Sequence, residues 1–385
     1  MKNNIFLSIA LILICSCSSL AFWADDSDVD VDVDVVEPVA LQPFKDDYSV
    51  FIEWKKSFNG KNSLGSFKPS FYSGNMLIAD PEGSIFSVNP NSGKENWRIN
   101  LDRQLAAGVA SGFGKLVVSD VNGFVIAIDS ESQEIIWEIN IGGEVLSNAV
   151  ISASLVLVKN SVGELVALNA SSGEKVWSFR SQLPALTVRG TGEPIIENGI
   201  VFSTFDNGRL GAFQLDTGFF LWDAPISFVE GSSELENLID ADSAPILAKQ
   251  LIFATNYQGN LTAFDIAQKR PVWNSKASSF YSPIVANNMI MVIQDDGSIL
   301  SFSLANLSSS WISEEYLRRQ LSSGAAYKNL LLVGDLEGYV HVINPMTGIT
   351  VGRKKVSGNP IMSITTFREL AFVIDQESNI VALKL

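Results

Sequence analysis

Histidine is almost absent: the 385 residues contain one, His341. Sites in which several histidines hold a metal are excluded, and a Ser-His-Asp triad has a single candidate base. Cysteine is nearly as scarce. Cys15 and Cys17 both lie within the first 20 residues, so the remainder of the chain carries neither disulfide nor thiol chemistry. Charged residues make up 18%, below the usual ~25%. Their balance is acidic, with 27 Lys and Arg against 42 Asp and Glu and a net charge of -15. Phosphates attract Lys and Arg, so this balance argues against a nucleic-acid partner. The run Ile5 to Ile14, apolar except for Ser8, is too short to span the ~30 Å of a bilayer core. What the chain does have is 46% hydrophobic and 10% aromatic residues. That is enough to bury a sizeable core, and the length suits one large closed β unit.

The N-terminus reads as an export signal: Lys2 supplies positive charge ahead of the apolar run. Cleavage after Ala24 would place bulky Phe22 at the third position before the cut, where a small residue is wanted. The sequence Ile14-Cys15-Ser16-Cys17 fits better as a lipoprotein box, with Ser16 before a lipidated Cys17. Residues 1–16 are thus expected to be a signal peptide. Seven acids follow between residues 25 and 37 with no base among them. Their mutual repulsion, with little apolar surface to bury, predicts a flexible tether over residues 17–44. Without the tether acids and Lys2, 26 basic residues face 35 acidic ones, a charge of about -9 on the remaining body.

Internal repetition is the dominant signal. A glycine recurs at positions 83, 123, 163, 208, 259, 297 and 338, and Ser378 takes its place in an eighth copy. Fourteen residues after each of the first six stands a tryptophan: Trp97, Trp137, Trp177, Trp222, Trp273 and Trp311. The seventh copy has Gly352 there, and the eighth ends before the position is reached. The segment around Trp54 holds the piece the eighth copy lacks. Each unit contains an apolar run such as Leu116-Val117-Val118, and a turn such as Asp120-Val121-Asn122-Gly123 in which glycine supplies positive φ. An alternating strand follows, then a second turn and the tryptophan strand. The residue four after the anchor is small in most copies, as at Ala127 and Ala167; Val342 is the exception.

Four short antiparallel strands per ~42 residues cannot bury both faces of one sheet. Radial stacking buries the sheets against each other. The expected fold is therefore all-β: an eight-bladed β-propeller over residues 45–385, closed by the N-terminal strand. A small residue four after the anchor would let neighbouring sheets approach. Trp54, Trp97, Trp137, Trp177, Trp222, Trp273 and Trp311 would fill the widening outer gaps as blade-docking residues.

Two connections are enlarged. From tryptophan to the next anchor the separation is 26 residues after Trp97 and Trp137, but 31 after Trp177 and 37 after Trp222. In an up-and-down meander both connections emerge side by side on one face. Loops on a rigid scaffold are where binding usually resides.

The segments Ala127–Trp137 and Ala167–Trp177 resemble the tryptophan-docking motif of PQQ-type propeller repeats. With eight copies behind a lipoprotein signal, the chain resembles the BamB family, lipoprotein subunits of the outer-membrane β-barrel assembly (BAM) complex. The segments Pro184-Ala-Leu-Thr-Val-Arg-Gly190 and Leu238-Ile-Asp-Ala-Asp-Ser-Ala-Pro245 resemble that family's partner-contacting loops. The resemblance implies contact with a POTRA domain of BamA through Leu186, Val188, Arg189, Asp240 and Asp242. It also implies an outer-membrane protein held by lipid and facing the periplasm. Extended outer-membrane protein substrates could add to exposed strand edges.

Other readings weigh less. A quinoprotein dehydrogenase shares the repeat, but such enzymes carry a vicinal disulfide that a body without cysteine cannot form. A metal at Asp240 and Asp242 lacks the six to eight oxygens calcium takes. His341 lies within a strand and is expected to be packed there. A periplasmic propeller binding some other protein is the remaining alternative. The expectation is a non-enzyme without cofactor or metal.

Overall fold

The computed structural model describes residues 37–61, 66–183, 192–227, 241 and 243–385. Residues 38–385 form one compact unit. Its strands assemble into eight four-stranded antiparallel sheets, and these are the eight blades of a propeller. Blades 1 to 7 span residues 70–100, 105–140, 150–180, 195–225, 246–276, 284–313 and 325–355. The eighth combines Ile361–Phe367, Leu370–Asp375 and Asn379–Lys384 with the N-terminal strand Phe51–Ser57. That strand runs antiparallel to the last one, with Trp54 opposite Ala382. The ring therefore closes as the repeat spacing predicts.

Within each blade the second and third strands are buried almost throughout, while the fourth alternates in blades such as 1, 2, 3 and 5; that of the seventh, Thr350–Lys355, is instead buried over its first half. In Ile135–Asn140 the tryptophan is buried and its neighbours are exposed. Period-two burial of this kind marks an outer strand with one face on the core.

The small residue four after the anchor has a role more local than the approach of neighbouring sheets. It lies directly across from the tryptophan of its own blade: Ala127 opposite Trp137, Ala167 opposite Trp177, Ala212 opposite Trp222. A large residue there would compete with the indole for the same side of the sheet. The seventh blade inverts the pair, with Val342 opposite Gly352.

Each docked tryptophan reaches into the following blade. Trp137 Nε1 donates to the Ala170 carbonyl at 3.1 Å and Trp177 Nε1 to the Leu215 carbonyl at 2.7 Å. Trp54 and Trp311 make the same bond to Pro90 and Pro345. In all four cases the indole covers a turn glycine three residues later. At Gly173 a Cβ would sit 2.7 Å from the Trp137 ring. Gln133, Lys269 and Leu307 hold that position in three other blades, also with positive φ. Among the described residues the indole bond is not made there by Trp97, Trp222 or Trp273. A side chain in place of glycine occupies the space the ring needs.

The seventh blade, which has no tryptophan, is covered instead by chain preceding the first strand. Asp47 and Tyr48 donate backbone N–H bonds to the Val351 carbonyl, each at 2.9 Å. Val39 N–H donates to the Leu317 carbonyl at 3.1 Å. A Cβ on Gly352 would lie 2.5 Å from the Tyr48 carbonyl oxygen, so glycine makes room for the incoming chain. Residues 17–36 of the expected tether, with Cys17, and the expected signal peptide lie outside the described residues.

Candidate functional site

The connections between blades share one face. In blade after blade, the residue following the fourth strand donates its N–H to the carbonyl of that blade's anchor glycine. Ile141 bonds to Gly123 at 3.1 Å, Ser181 to Gly163 at 2.9 Å and Ile226 to Gly208 at 2.9 Å. The two enlarged connections, leaving blades 3 and 4, thus start from equivalent points on neighbouring blades. Leu186, Val188, Arg189, Asp240 and Asp242 themselves lie outside the described residues.

What is described is the base on which those connections stand. Ala241 is fully buried and belongs to the core shared by blades 4 and 5, with Phe202, Trp222 and Phe264. In the sequence it stands between Asp240 and Asp242. A chain of polar contacts then crosses three blades. Lys159 of blade 3, only 4% exposed, donates from Nζ to the Thr204 carbonyl of blade 4 at 3.3 Å. Thr204 Oγ1 donates to the Ser243 carbonyl at 2.7 Å, and Ser243 Oγ to the Thr255 carbonyl of blade 5 at 2.9 Å. Asp206 lies beside this relay. Burial pushes its carboxyl up, and the nearby Lys159 charge opposes that shift. Buried lysine is rare unless compensated. Here it braces the C-terminal ends of the second strands of blades 3 and 4, the two blades whose outgoing connections are long.

These bracing residues were missed by repeat counting alone, although a signal exists. Lys159 stands four before its anchor. The equivalent residues are Ala79, Ser119, Thr204, Thr255, Ile293, Gly334 and Ile374, none of them charged.

The inner strands enclose polar space. One cavity of about 170 Å³ is lined by Lys68, Glu193, Ser243, Tyr281 and Ser323 among others. A second, of about 380 Å³, shares Lys68 and Glu193 and adds Ser111 and Asn148. Burial pushes the Glu193 carboxyl up, while the Lys68 charge and the Asn148 N–H pull it back. The charged groups lining both cavities among the described residues are one acid and one lysine. Among the described residues no group of three or more His, Cys, Asp or Glu could hold a metal ion.

His341 is fully buried in the strand Tyr339–Ile343, as its flanking valines suggest, but it is not simply packed. Its Nε2 lies 2.9 Å from Asp335 Oδ2, and its Nδ1 accepts from Arg353 Nε at 3.0 Å. These two bonds tie the ring into the blade.

The comparisons with known proteins agree with this geometry. The family model of outer membrane protein assembly factor BamB matches residues 81–313. The outer membrane protein assembly factor BamB of Pseudomonas aeruginosa is 41% identical over 84% of this chain and 86% of its own length. That of Kangiella koreensis is 38% identical over 85% of this chain and 86% of its own. Among solved structures, BamB from Moraxella catarrhalis superposes with a TM-score of 0.80 over 87% of this chain and all of that one, at 22% identity. The quinohemoprotein alcohol dehydrogenase of Comamonas testosteroni shares the fold at a TM-score of 0.69 and 12% identity, over 87% of this chain and 76% of its own. The chain belongs to the BamB family of outer membrane protein assembly factors.

Proposed function

We propose that the protein is a non-catalytic scaffold lipoprotein of the outer-membrane protein assembly machinery, supporting insertion of β-barrel proteins within the BAM complex by binding BamA. Lipid on Cys17 holds it at the outer membrane, facing the periplasm. The two enlarged connections form the surface for a POTRA domain, with Leu186 and Val188 as apolar contacts, Arg189 as the central contact, and Asp240 and Asp242 meeting basic groups. An arginine flanked by aliphatic side chains is a common hot-spot arrangement. Unfolded outer-membrane proteins are a further partner, taken up at blade edges.

The observation that carries this reading is that both enlarged connections start from equivalent points on adjacent blades, above a polar relay that braces those blades together. A rigid base under two neighbouring loops lowers the ordering cost of binding. The test is a pull-down of BamA with Arg189→Glu, the fold being checked by circular dichroism. Charge reversal at a central contact should reduce recovery at least tenfold, since a hot-spot loss of ~2 kcal/mol or more exceeds the 1.4 kcal/mol of one decade. Undiminished recovery would remove the loop site.

A further inference from the structure

The seventh blade departs from the repeat in two ways, and both concern the chain that enters the ring. It carries Gly352 where other blades carry tryptophan, and it holds the one histidine. Arg353, next to that glycine, forks three ways. Its Nε donates to His341 Nδ1 at 3.0 Å, its Nη1 to the Gln42 carbonyl at 3.0 Å and its Nη2 to Glu315 Oε1 at 2.8 Å. Its guanidinium also lies over the Phe44 ring, 4.8 Å from the centroid. Arg319, whose side chain is 3% exposed, donates from Nη1 to the Val39 carbonyl at 3.0 Å and binds Asp335 and Glu337. Two arginines of the propeller therefore grip residues 39, 42 and 44.

Arginine has donors only. The bond from Arg353 Nε consequently fixes His341 as the tautomer with a bare Nδ1, and its Nε2–H donates to Asp335 Oδ2. The ring is charge-neutral in this arrangement. The groups facing it are Asp335, Arg353 and Arg319, with the rings of Tyr316 and Tyr339 against its plane. Glu315 and Glu337 pair with the arginines from further out. On the entering segment Lys45 and Asp47 pair with each other at the surface.

We infer that residues 38–48 are a strap latched to the seventh blade through Arg353 and neutral His341, and that protonation of His341 releases it. A proton taken from solvent onto Nδ1 turns the acceptor into a second donor facing Arg353 Nε–H. The two N–H groups cannot share a bond, so Arg353 withdraws from the ring. The grip on the Gln42 carbonyl and the Phe44 ring goes with it. Asp335 keeps its bond from Nε2–H and holds the imidazolium in place. Burial keeps the folded-state pKa of His341 below its ordinary 6.5. The latch is thus closed at neutral pH and weakens as pH falls below that value, because the open state binds the extra proton more readily. Opening would free eleven residues leading to the N-terminus, adding roughly 35 Å of extended reach.

The experiment is hydrogen exchange on the full chain at pH 7.5 and pH 5.0, read as protection factors corrected for intrinsic exchange. The reporters are the strap amides of Val39, Asp47 and Tyr48, all hydrogen-bonded to the seventh blade or to the segment before it. Their protection should fall with acid, at most about tenfold per pH unit for a single coupled proton, while amides of the third strand of blade 2 stay constant. In His341→Gln, which keeps one acceptor and one donor but does not titrate in this range, strap protection should be equal at both pH values. Unchanged strap protection in the unmodified protein would overturn the inference, and this arm does not depend on any variant folding. The same acid loss in a folded His341→Gln protein would also overturn it.

Discussion

Replacing Trp137 with alanine should lower the unfolding free energy by about 3–5 kcal/mol, the range for truncating a large buried aromatic. The side chain is 7% exposed and belongs to a core with Val125, Val156 and Val166, contributed by blades 2 and 3. Its indole also donates to the Ala170 carbonyl, which alanine would leave without that donor. The loss falls on the contact between two blades and not on the connections leaving blades 3 and 4. Thermal unfolding should therefore begin at lower temperature, while the protein that remains folded binds its partner normally. An unchanged melting temperature would contradict the docking role. Loss of binding without loss of stability would contradict it equally, by giving the tryptophan a recognition role.

Replacing Asp335 with alanine should be as damaging, about 3–5 kcal/mol, because it leaves buried partners uncompensated. Burial pushes this carboxyl up, but the hydrogen bonds it accepts from neutral His341, the Tyr339 N–H and Arg319 outweigh the shift and hold it below its ordinary value. It is fully ionised at neutral pH. A carboxyl depressed by folding stabilises the fold above its unfolded value and loses that contribution as pH falls through the folded one. In the alanine variant Arg319 keeps only the half-exposed Glu337 as an anionic partner, and His341 Nε2–H has no acceptor there. The Asp335 Oδ1 bonds from the Glu337 and Tyr339 N–H groups, at 3.0 Å each, vanish as well. Chemical denaturation at pH 7 should show the loss directly. A midpoint equal to that of the unmodified protein would show that the network contributes nothing net.

The ring was legible because its signals are periodic. Glycine and tryptophan recur at a fixed offset of fourteen, and the tryptophan strand missing from the eighth copy has its counterpart near the N-terminus. Trp54 is that strand's marker, and it pairs with Ala382. The pairing of small with large was visible as Ala127 and Trp137, but its cause was not. Register decides it, and register emerges only when the strands are side by side. The exchange to Val342 and Gly352 follows from the same rule.

The strap was not legible. Gly352 looked like a missing tryptophan, and nothing local says that chain 300 residues earlier takes its place. The contacts of Arg353 with Gln42 and Phe44 are long-range and have no periodicity to reveal them. The brace under the enlarged connections lies between these extremes. Lys159 breaks an otherwise uncharged repeat position, but its partners Thr204 and Ser243 are ordinary residues whose role depends on the neighbouring blades.

The most direct test of the proposed binding surface places a photo-crosslinking residue at position 186, at position 242 and, as control, at exposed Ser172. Ser172 sits in the turn joining the third and fourth strands of blade 3, at the opposite end from the connections between blades. Capture of BamA from positions 186 and 242, with little from 172, is the predicted result. An intact complex in which 172 captures BamA and the other two do not would contradict the account.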